Sequence, residues 1–177
     1  SLGIAFITTR AVQIGFAGII IRTIKSNIKV PTNYVKSFSR SNKPLIIDID
    51  YKDLMTLENK RLDSIDKGML IVEDSDWVNF SGKFDDKKLN GEIRLKGLLS
   101  AHWSMKDNNY SYKIKLKGDN TILGMKRFSI QHPRTRNYMV DWYFQKMLKQ
   151  QGIISARYHF NPVIINGRRL PIYQFEE

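Results

Sequence analysis

The strict alternation of apolar and basic residues from Tyr112 to Lys117 is the feature that most constrains the fold. The run YKIKLK places three apolar side chains on one face of an extended segment and three lysines on the other. Successive side chains of a strand point to opposite faces of its sheet. The pattern therefore predicts a strand with one buried and one cationic face, as in an antiparallel sheet that is half exposed to water.

Turn residues and alternating apolar positions predict further strands around this one. They are expected at residues 77–84, 89–96, 125–131, 158–165 and 168–175. The last two are joined by Asn166-Gly167, a pair that suits a type I′ turn and predicts a hairpin. An acidic turn at Asp85 predicts a second hairpin from the first two.

Helical spacing of apolar residues appears in two places. Residues 51–67 follow a short apolar strand at 45–49 and stop at Gly68, and a second helix is expected up to Gln150 before Gly152. The predicted fold class is α+β: a twisted antiparallel sheet of about five strands covered by one packed helix, from about residue 136 to residue 150, and preceded by a strand–helix unit.

Composition limits the chemistry. Lys and Arg total 29 against 17 Asp and Glu, a formal charge of +12 that favours anionic partners. The absence of cysteine excludes disulfides and Cys-ligated zinc. The three histidines lack metal-ligand spacing, so no metal site is predicted.

The amino-terminal part differs in character from the rest. Residues 2–21 are apolar except for a few polar positions that include Arg10, and they predict a membrane anchor, a helix packed on the domain or a leader, with residues 1–25 as its bounds. Residues 26–43 carry Ser, Asn, Pro and Lys without periodicity and predict a linker. The folded part is expected to span residues 44–177.

A glycine loop between cationic strands is a candidate phosphate-binding feature. Gly97 and Ser100 open the loop that follows the strand ending at residue 96. The strand cations are Arg94, Lys96, Lys113, Lys115, Lys117, Lys126 and Arg127. Backbone N–H groups and ammonium ions both stabilise phosphate, so the pattern is compatible with nucleotide binding. A solvated polar face of an amphipathic sheet would show the same alternation.

Several motifs together resemble the CotH family, which is named for a bacterial spore-coat protein. They are RLKG from Arg94, the strand lysines, GMKRF from Gly124, a helix start that contains Arg136, the Ile-Asn-Gly turn and the closing Tyr-x-x-Glu-Glu. The resemblance covers roughly residues 45–177. It departs from the family pattern at Leu98-Leu99, where the loop is unusually apolar, and at Pro171, which predicts an edge position or a bulge.

The resemblance implies an atypical protein kinase that uses ATP with Mg or Mn and phosphorylates a protein substrate. The predicted order of elements would then correspond to the amino-terminal lobe of the kinase, which binds the phosphates of ATP. Glu176 would lie where the hinge to the second lobe begins. Catalytic and metal-binding residues would lie in a further lobe, so this fragment is not expected to be active alone and no catalytic or metal residue is assigned to it. A bacterial envelope or cell-surface location is also implied.

Site roles follow from the resemblance residue by residue. Gly97 and Ser100 would border the phosphates, with Arg94 and Lys96 close by. Lys115 is the first choice for the lysine that pairs with the nucleotide, and Lys126 is the second. The remaining candidates are Asp141, as the acid that braces this lysine, Arg136, which either serves the site or starts the helix, and Glu176 at the hinge.

Two other functions remain open at the level of sequence. One is a noncatalytic surface or coat assembly protein with the same fold. The other, a nucleic-acid binder, is less favoured: Trp103, Tyr110 and Tyr112 lie among lysines, but Tyr112 is expected on the core face.

Overall fold

The computed structural model describes residues 43–177, which form seven strands and two α-helices. Their bounds are β1 Leu45–Asp48, α1 Tyr51–Lys67, β2 Val78–Phe84, β3 Lys87–Leu95, β4 Tyr112–Leu116, β5 Arg127–Gln131, α2 Val140–Gln150, β6 Tyr158–Ile165 and β7 Arg168–Glu176. Short 3-10 turns lie at Asp74–Asp76, Ser100–His102 and Pro133–Arg136. The predicted anchor or leader, and the predicted linker apart from Lys43, lie outside the described residues.

The seven strands close into a barrel in the order β1-β2-β3-β4-β5-β7-β6. Every neighbouring pair is antiparallel except β1 and β6, which run parallel. The barrel is therefore a mixed sheet, and each strand has a hydrogen-bonded partner on both sides.

The predicted fold class is wrong in its central feature, because the sheet is a closed barrel rather than an open twisted sheet of about five strands. The strand β1 was assigned to a separate strand–helix unit. Instead, Ile46 lies opposite Lys83 of β2 on one side and opposite Ile164 of β6 on the other. A single four-residue strand thus joins the two ends of the sheet, and closure removes both edges.

The prediction of one packed helix from about residue 136 to residue 150 is also wrong, because the helix begins at Val140 and does not pack on the sheet as expected. None of the residues of α2 is fully buried, and Tyr143, Phe144 and Met147 are exposed. The helix that packs on the barrel is α1, through Leu57 and the partly buried Leu54. Neither helix in the described part of the chain is long and apolar enough to cross a membrane.

The barrel interior is filled by the apolar face of each strand. Ile47, Ile93, Ile114 and Phe128 are almost completely buried, and the Phe128 ring stacks on Phe175 with centroids 5.6 Å apart. Each such side chain contributes roughly 1.5–3 kcal/mol through burial. The predicted apolar face of Tyr112–Lys117 is confirmed, and the lysines between its core residues consequently point outward.

Individual turns follow the sequence closely. Gly68 ends α1 in the left-handed conformation, and Asn166 and Gly167 both have positive φ in the turn between β6 and β7. Pro162 pairs with Ile172 and Ile164 with Arg169, so the register between β6 and β7 shifts at Leu170 and Pro171, and of the two predicted alternatives the strand adopts the irregularity rather than the edge position.

Candidate anion-binding site

A cavity of about 580 Å³ lies on the outer face of the barrel, beside β4 and β5 and the last residues of β7. Its cationic lining residues are Lys96, Lys113, Lys115 and Arg127. Strand register contributes to this grouping, because Lys115 of β4 lies opposite Arg127 of β5. Arg94 of β3, which lies opposite Lys113, is a neighbouring cation outside the lining. The core residues between them occupy the inner face, so all the basic side chains project to the same outer face.

Lys96 and Glu176 form a half-buried ion pair at this cavity. The Lys96 Nζ atom is 3.1 Å from Glu176 Oε2 and also donates to Gln131 Oε1 at 3.1 Å. Gln131 Nε2 donates to the same Glu176 oxygen at 2.6 Å. The side chains of Lys96 and Glu176 are only 18% and 19% exposed. We call these three residues the Lys96 cluster.

The strand ends determine where the Lys96 cluster forms. Lys96 follows β3 directly, and its backbone N–H donates to the Ser111 carbonyl at 2.9 Å. Gln131 is the last residue of β5 and Glu176 the last of β7, and these two strands pair. Antiparallel pairing places Glu176 opposite Ser129, two residues before Gln131, so polar groups from three strands meet, and Gln131 among them is completely buried.

Arg136 extends the Lys96 cluster toward α2. Its Nη2 atom is 3.6 Å from Glu176 Oε1, and its Nε atom is 3.6 Å from Asp141 Oδ2 in the first turn of α2. Tyr158 also hydrogen-bonds to Glu176. Glu176 is thus one carboxylate shared by two cations and a phenol.

Burial and the neighbouring charges together explain the directions of the two pKa shifts. Burial lowers the pKa of Lys96, and Arg136 and Lys113 add to that effect while Glu176 opposes it. Burial acts to raise the pKa of Glu176, but Lys96, Arg136 and Tyr158 outweigh it and the pKa is lowered. Two cations stabilise the ionised form of Glu176, whereas Lys96 and Arg136 compete for this one carboxylate.

The glycine loop is held by packing. Gly97 has φ 99°, and its carbonyl accepts a hydrogen bond from Trp103 Nε1 at 3.0 Å. A Cβ atom at Gly97 would overlap the His102 ring. The Ser100 carbonyl accepts from the Trp103 and Ser104 backbone N–H groups, and Leu98 is exposed. The requirement for glycine is therefore explained by the close approach of His102.

Of the remaining predicted site residues, Lys115 lines the cavity, whereas Arg94 and Lys126 do not. Lys115 lines the same cavity, but its Nζ atom pairs with Glu92 at 3.0 Å. Arg94 stacks over the Trp77 ring at 5.0 Å and donates to the Leu95 carbonyl. Lys126 is exposed in the segment before β5 and is not among the residues that line the cavity.

Lys96, Glu176, Arg136 and Asp141 are therefore brought together, with Lys115 across the cavity. Sequence reasoning missed Gln131 and Tyr158. Gln131 is the last residue of β5 and Tyr158 the first of β6, and neither position carried a signal of its partner in the sequence. The cluster depends on contacts between strand ends that are distant in the chain.

The site fits the phosphate part of a nucleotide better than it fits a metal. Four cations line the cavity together with the carboxylates of Asp74, Glu176 and Glu177, and fixed ammonium and guanidinium groups suit phosphate oxygens. Among residues 43–177, no group of three or more His, Asp or Glu side chains is placed to hold a metal ion.

The aromatic residues considered for nucleic-acid stacking are mostly inside. Trp103 and Tyr110 form a small second core with Leu70 and Leu95, and Tyr112 packs against it. These rings are therefore not displayed on the outer surface, where the bases of a single strand would stack.

Comparisons with known proteins leave the family open. No protein-family model matches the chain, and no match is found among curated proteins. Fold and site define the class as a small closed β-barrel with a cationic surface cavity. The likeness to the CotH family remains a hypothesis that rests on the motifs themselves.

Proposed function

We propose that this protein binds the polyphosphate of ATP in the cationic cavity, with Lys96 as the principal phosphate ligand. The observation that carries the proposal is the half-buried Lys96–Glu176 pair beside a wall that contains Lys113, Lys115 and Arg127. A lysine held by a carboxylate and an amide keeps its ammonium group in one place. A ligand phosphate then meets an oriented charge rather than a mobile one.

The roles of the neighbouring residues follow from their contacts. Glu176 and Gln131 orient the Lys96 ammonium group, because both accept from Nζ at 3.1 Å. Arg136 keeps Glu176 ionised and links it to Asp141. Arg127 and Lys113 add positive charge where the distal phosphates would lie.

The resemblance to the CotH family supports ATP as the nucleotide and a protein hydroxyl as the phosphoryl acceptor. Mg²⁺ or Mn²⁺ would arrive with the nucleotide and neutralise part of its charge. The described residues supply binding and orientation of phosphate. The family's phosphotransfer activity is the reaction that this binding would serve.

Calorimetry of ATP binding tests the proposal. The unaltered full chain and the single variants Lys96→Met, Lys115→Met and Lys88→Met are each titrated with ATP in the presence of Mg²⁺ or Mn²⁺. Lys88 is an exposed lysine of β3 outside the cavity, which makes it a matched control for net charge. We expect Lys96→Met to weaken binding about tenfold or more, since charged hydrogen bonds contribute roughly 1.5–3 kcal/mol.

The three variants separate a site from general attraction. Lys115→Met should have a smaller effect than Lys96→Met, because the Lys115 side chain is more exposed, at 40% against 18%, and its ammonium group is held less firmly. Equal weakening by Lys96→Met and Lys88→Met would show that the charge of +12 attracts ATP without a site. Failure of the unaltered protein to bind ATP would overturn the proposal.

An alternative function as a noncatalytic assembly protein is favoured by a different observation. Exposed apolar side chains cluster on and just before α2: Tyr138, Met139, Val140, Tyr143, Phe144 and Met147. Such a patch is typical of a protein-binding surface. Self-association by analytical ultracentrifugation that is lost in Phe144→Glu, together with no ATP binding, would support this alternative.

A further inference from the structure

A second cavity, of about 420 Å³, lies between α1, the segment before β4 and the turn from β6 to β7. We propose that it binds a small amphipathic carboxylate, a molecule with an apolar or aromatic body and a single anionic head. The site shares no lining residue with the cationic cavity. The inference is therefore independent of the proposed ATP site.

The walls of this cavity are mainly apolar. Leu57 and Leu170 are buried, and Ile165 lies at the same end of the barrel interior. Tyr110 and Tyr112 add aromatic surface, and burial raises the pKa of Tyr112 above its ordinary value. Cavities of roughly this size with apolar walls and a few polar groups are the usual sites for small organic ligands.

Two guanidinium groups supply the polar part. Arg61 lies over the Tyr110 ring at 5.0 Å, and its Nε atom donates to Glu58 at 2.9 Å. Arg168 donates to the backbone carbonyl of Asp107 at 2.5 Å. Carbonyls are neutral, so they hold Arg168 in place without cancelling its charge. Among the lining residues two cations face one carboxylate, which leaves an excess of one positive charge.

The cavity is also held in shape. The Tyr173 hydroxyl donates to the Tyr110 carbonyl at 2.9 Å, and the Tyr110 hydroxyl donates to Asn108 Oδ1 at 2.5 Å. Tyr173 is completely buried in the barrel core, so the segment that carries Tyr110 is tied to the most rigid part of the molecule. A preformed cavity loses little conformational entropy when a ligand enters.

The chemistry of the lining selects the class of ligand. A planar guanidinium matches the two oxygens of a carboxylate. A polyphosphate has no apolar part and would leave the apolar walls of this cavity without a partner. A carboxylate with a hydrophobic body satisfies both parts of the cavity.

Two-dimensional NMR titration of the full chain tests this proposal, with phenylbutyrate as the probe. Phenylbutanol, of the same length but neutral, is the matched control ligand. Arg168→Met is compared with Arg169→Met, because Arg169 is also exposed and basic, is the next residue of β7, and does not line the cavity. We expect phenylbutyrate to shift amide signals near Tyr110 and Arg61, and to bind about tenfold more weakly to Arg168→Met.

The outcomes discriminate clearly. Phenylbutanol should bind at least about tenfold more weakly than phenylbutyrate to the unaltered protein, a comparison that requires no variant to fold. Equal affinity of the two probes, equal weakening in Arg168→Met and Arg169→Met, or shifts confined to signals around Lys96 would each overturn the proposal. Absence of shifts at millimolar phenylbutyrate would do the same.

Discussion

At the scale of single residues, Glu176 is a partly buried carboxylate with several polar partners. It lies between Lys96 and Arg136 and accepts hydrogen bonds from Gln131 and Tyr158. Neutralising this carboxylate leaves two partly buried cations without their shared partner. Such a loss costs more than removal of an exposed ion pair.

Glu176→Gln is therefore expected to lower the free energy of unfolding at pH 7 by about 1–3 kcal/mol, the usual cost of unpaired buried polar groups. Because the folded-state pKa of Glu176 is lowered from 4.5, its contribution is present above that pH and is lost as the pH falls through the folded-state pKa. Urea unfolding at pH 7 and at a series of acid pH values measures this.

The difference between the two proteins should shrink at acid pH, where Glu176 of the unaltered protein becomes protonated. Asp119→Asn, in an exposed turn, is the control and should change little at any of these pH values. A difference that stays constant with pH would mean that the carboxylate charge is not what stabilises the cluster.

Gly91 is a second residue with a specific steric role. It faces the barrel interior opposite Phe80, and a Cβ atom there would lie 2.6 Å from Phe80 Cε1 and 2.7 Å from the Lys115 carbonyl oxygen. Gly91→Ala is expected to destabilise the protein by roughly 1–3 kcal/mol, as overpacked cores usually do. Thermal or urea unfolding, with Lys88→Ala as an exposed control in the same strand, checks this; equal stability of the two variants would contradict it.

At the scale of elements, the Asn166-Gly167 turn does more than reverse the chain. Asn166 Oδ1 accepts from the Ile49 N–H at 2.7 Å, and Asn166 Nδ2 donates to the Ile49 carbonyl at 2.9 Å. The Asn166 N–H also donates to Ile47 at 2.9 Å. The turn thus holds the end of β1 in its place beside β6.

Asn166→Gly separates these two roles. Glycine keeps the positive φ of the turn but removes both side-chain hydrogen bonds, so we expect a loss of about 1–3 kcal/mol at roughly 0.5–1.5 kcal/mol per bond. Asn166→Asp retains an acceptor for the Ile49 N–H and should lose less. Urea unfolding of both variants measures the difference; a stability of Asn166→Gly equal to that of the unaltered protein would show that the side chain does not hold β1.

The two helices show how similar local patterns reach different surroundings. Both were predicted from apolar residues at helical spacing, and both form. Leu57 of α1 is buried against the barrel, whereas Phe144 of α2 is exposed. Helical spacing indicates which residues share a face, but it does not indicate what that face will meet.

At the scale of the whole molecule, closure is the property that distinguishes the barrel from the predicted open sheet. In an open sheet β1 and β6 would be edge strands with unpaired backbone groups. In the barrel, β1 pairs with both β2 and β6. Protection of backbone amides from hydrogen exchange should therefore extend to every strand of the barrel.

Hydrogen exchange tests closure directly. We expect the amides of Ile46 and Ile47 in β1 to exchange about as slowly as that of Ile114 in the central strand β4, because all open only with the barrel as a whole. NMR or mass spectrometry at several pH values measures these rates. Exchange in β1 faster by orders of magnitude than in β4 would indicate a frayed edge and an open sheet.

Much of the candidate site was visible in the sequence, but its connections were not. Lys96, Glu176, Arg136 and Asp141 were all candidates, yet Lys115 was preferred for the nucleotide because its strand has the clearest alternation. In the structure Lys115 pairs with Glu92, and Lys96 is the lysine held by Glu176. Clear alternation reports the exposure of a strand face, and it carries no information about charge partners on neighbouring strands.

The sequence by itself determined the local elements: the outward lysines of β4, the Gly68 helix end and the Asn166-Gly167 turn all follow from preferences of residues close in the chain. Tertiary structure alone decided the closure by β1 and the meeting of Lys96 with Gln131 and Glu176, which are 35 and 80 residues away. Such contacts depend on strand order and register across the whole barrel. Local periodicity constrains neither, because any register that keeps the apolar faces inside satisfies it equally well.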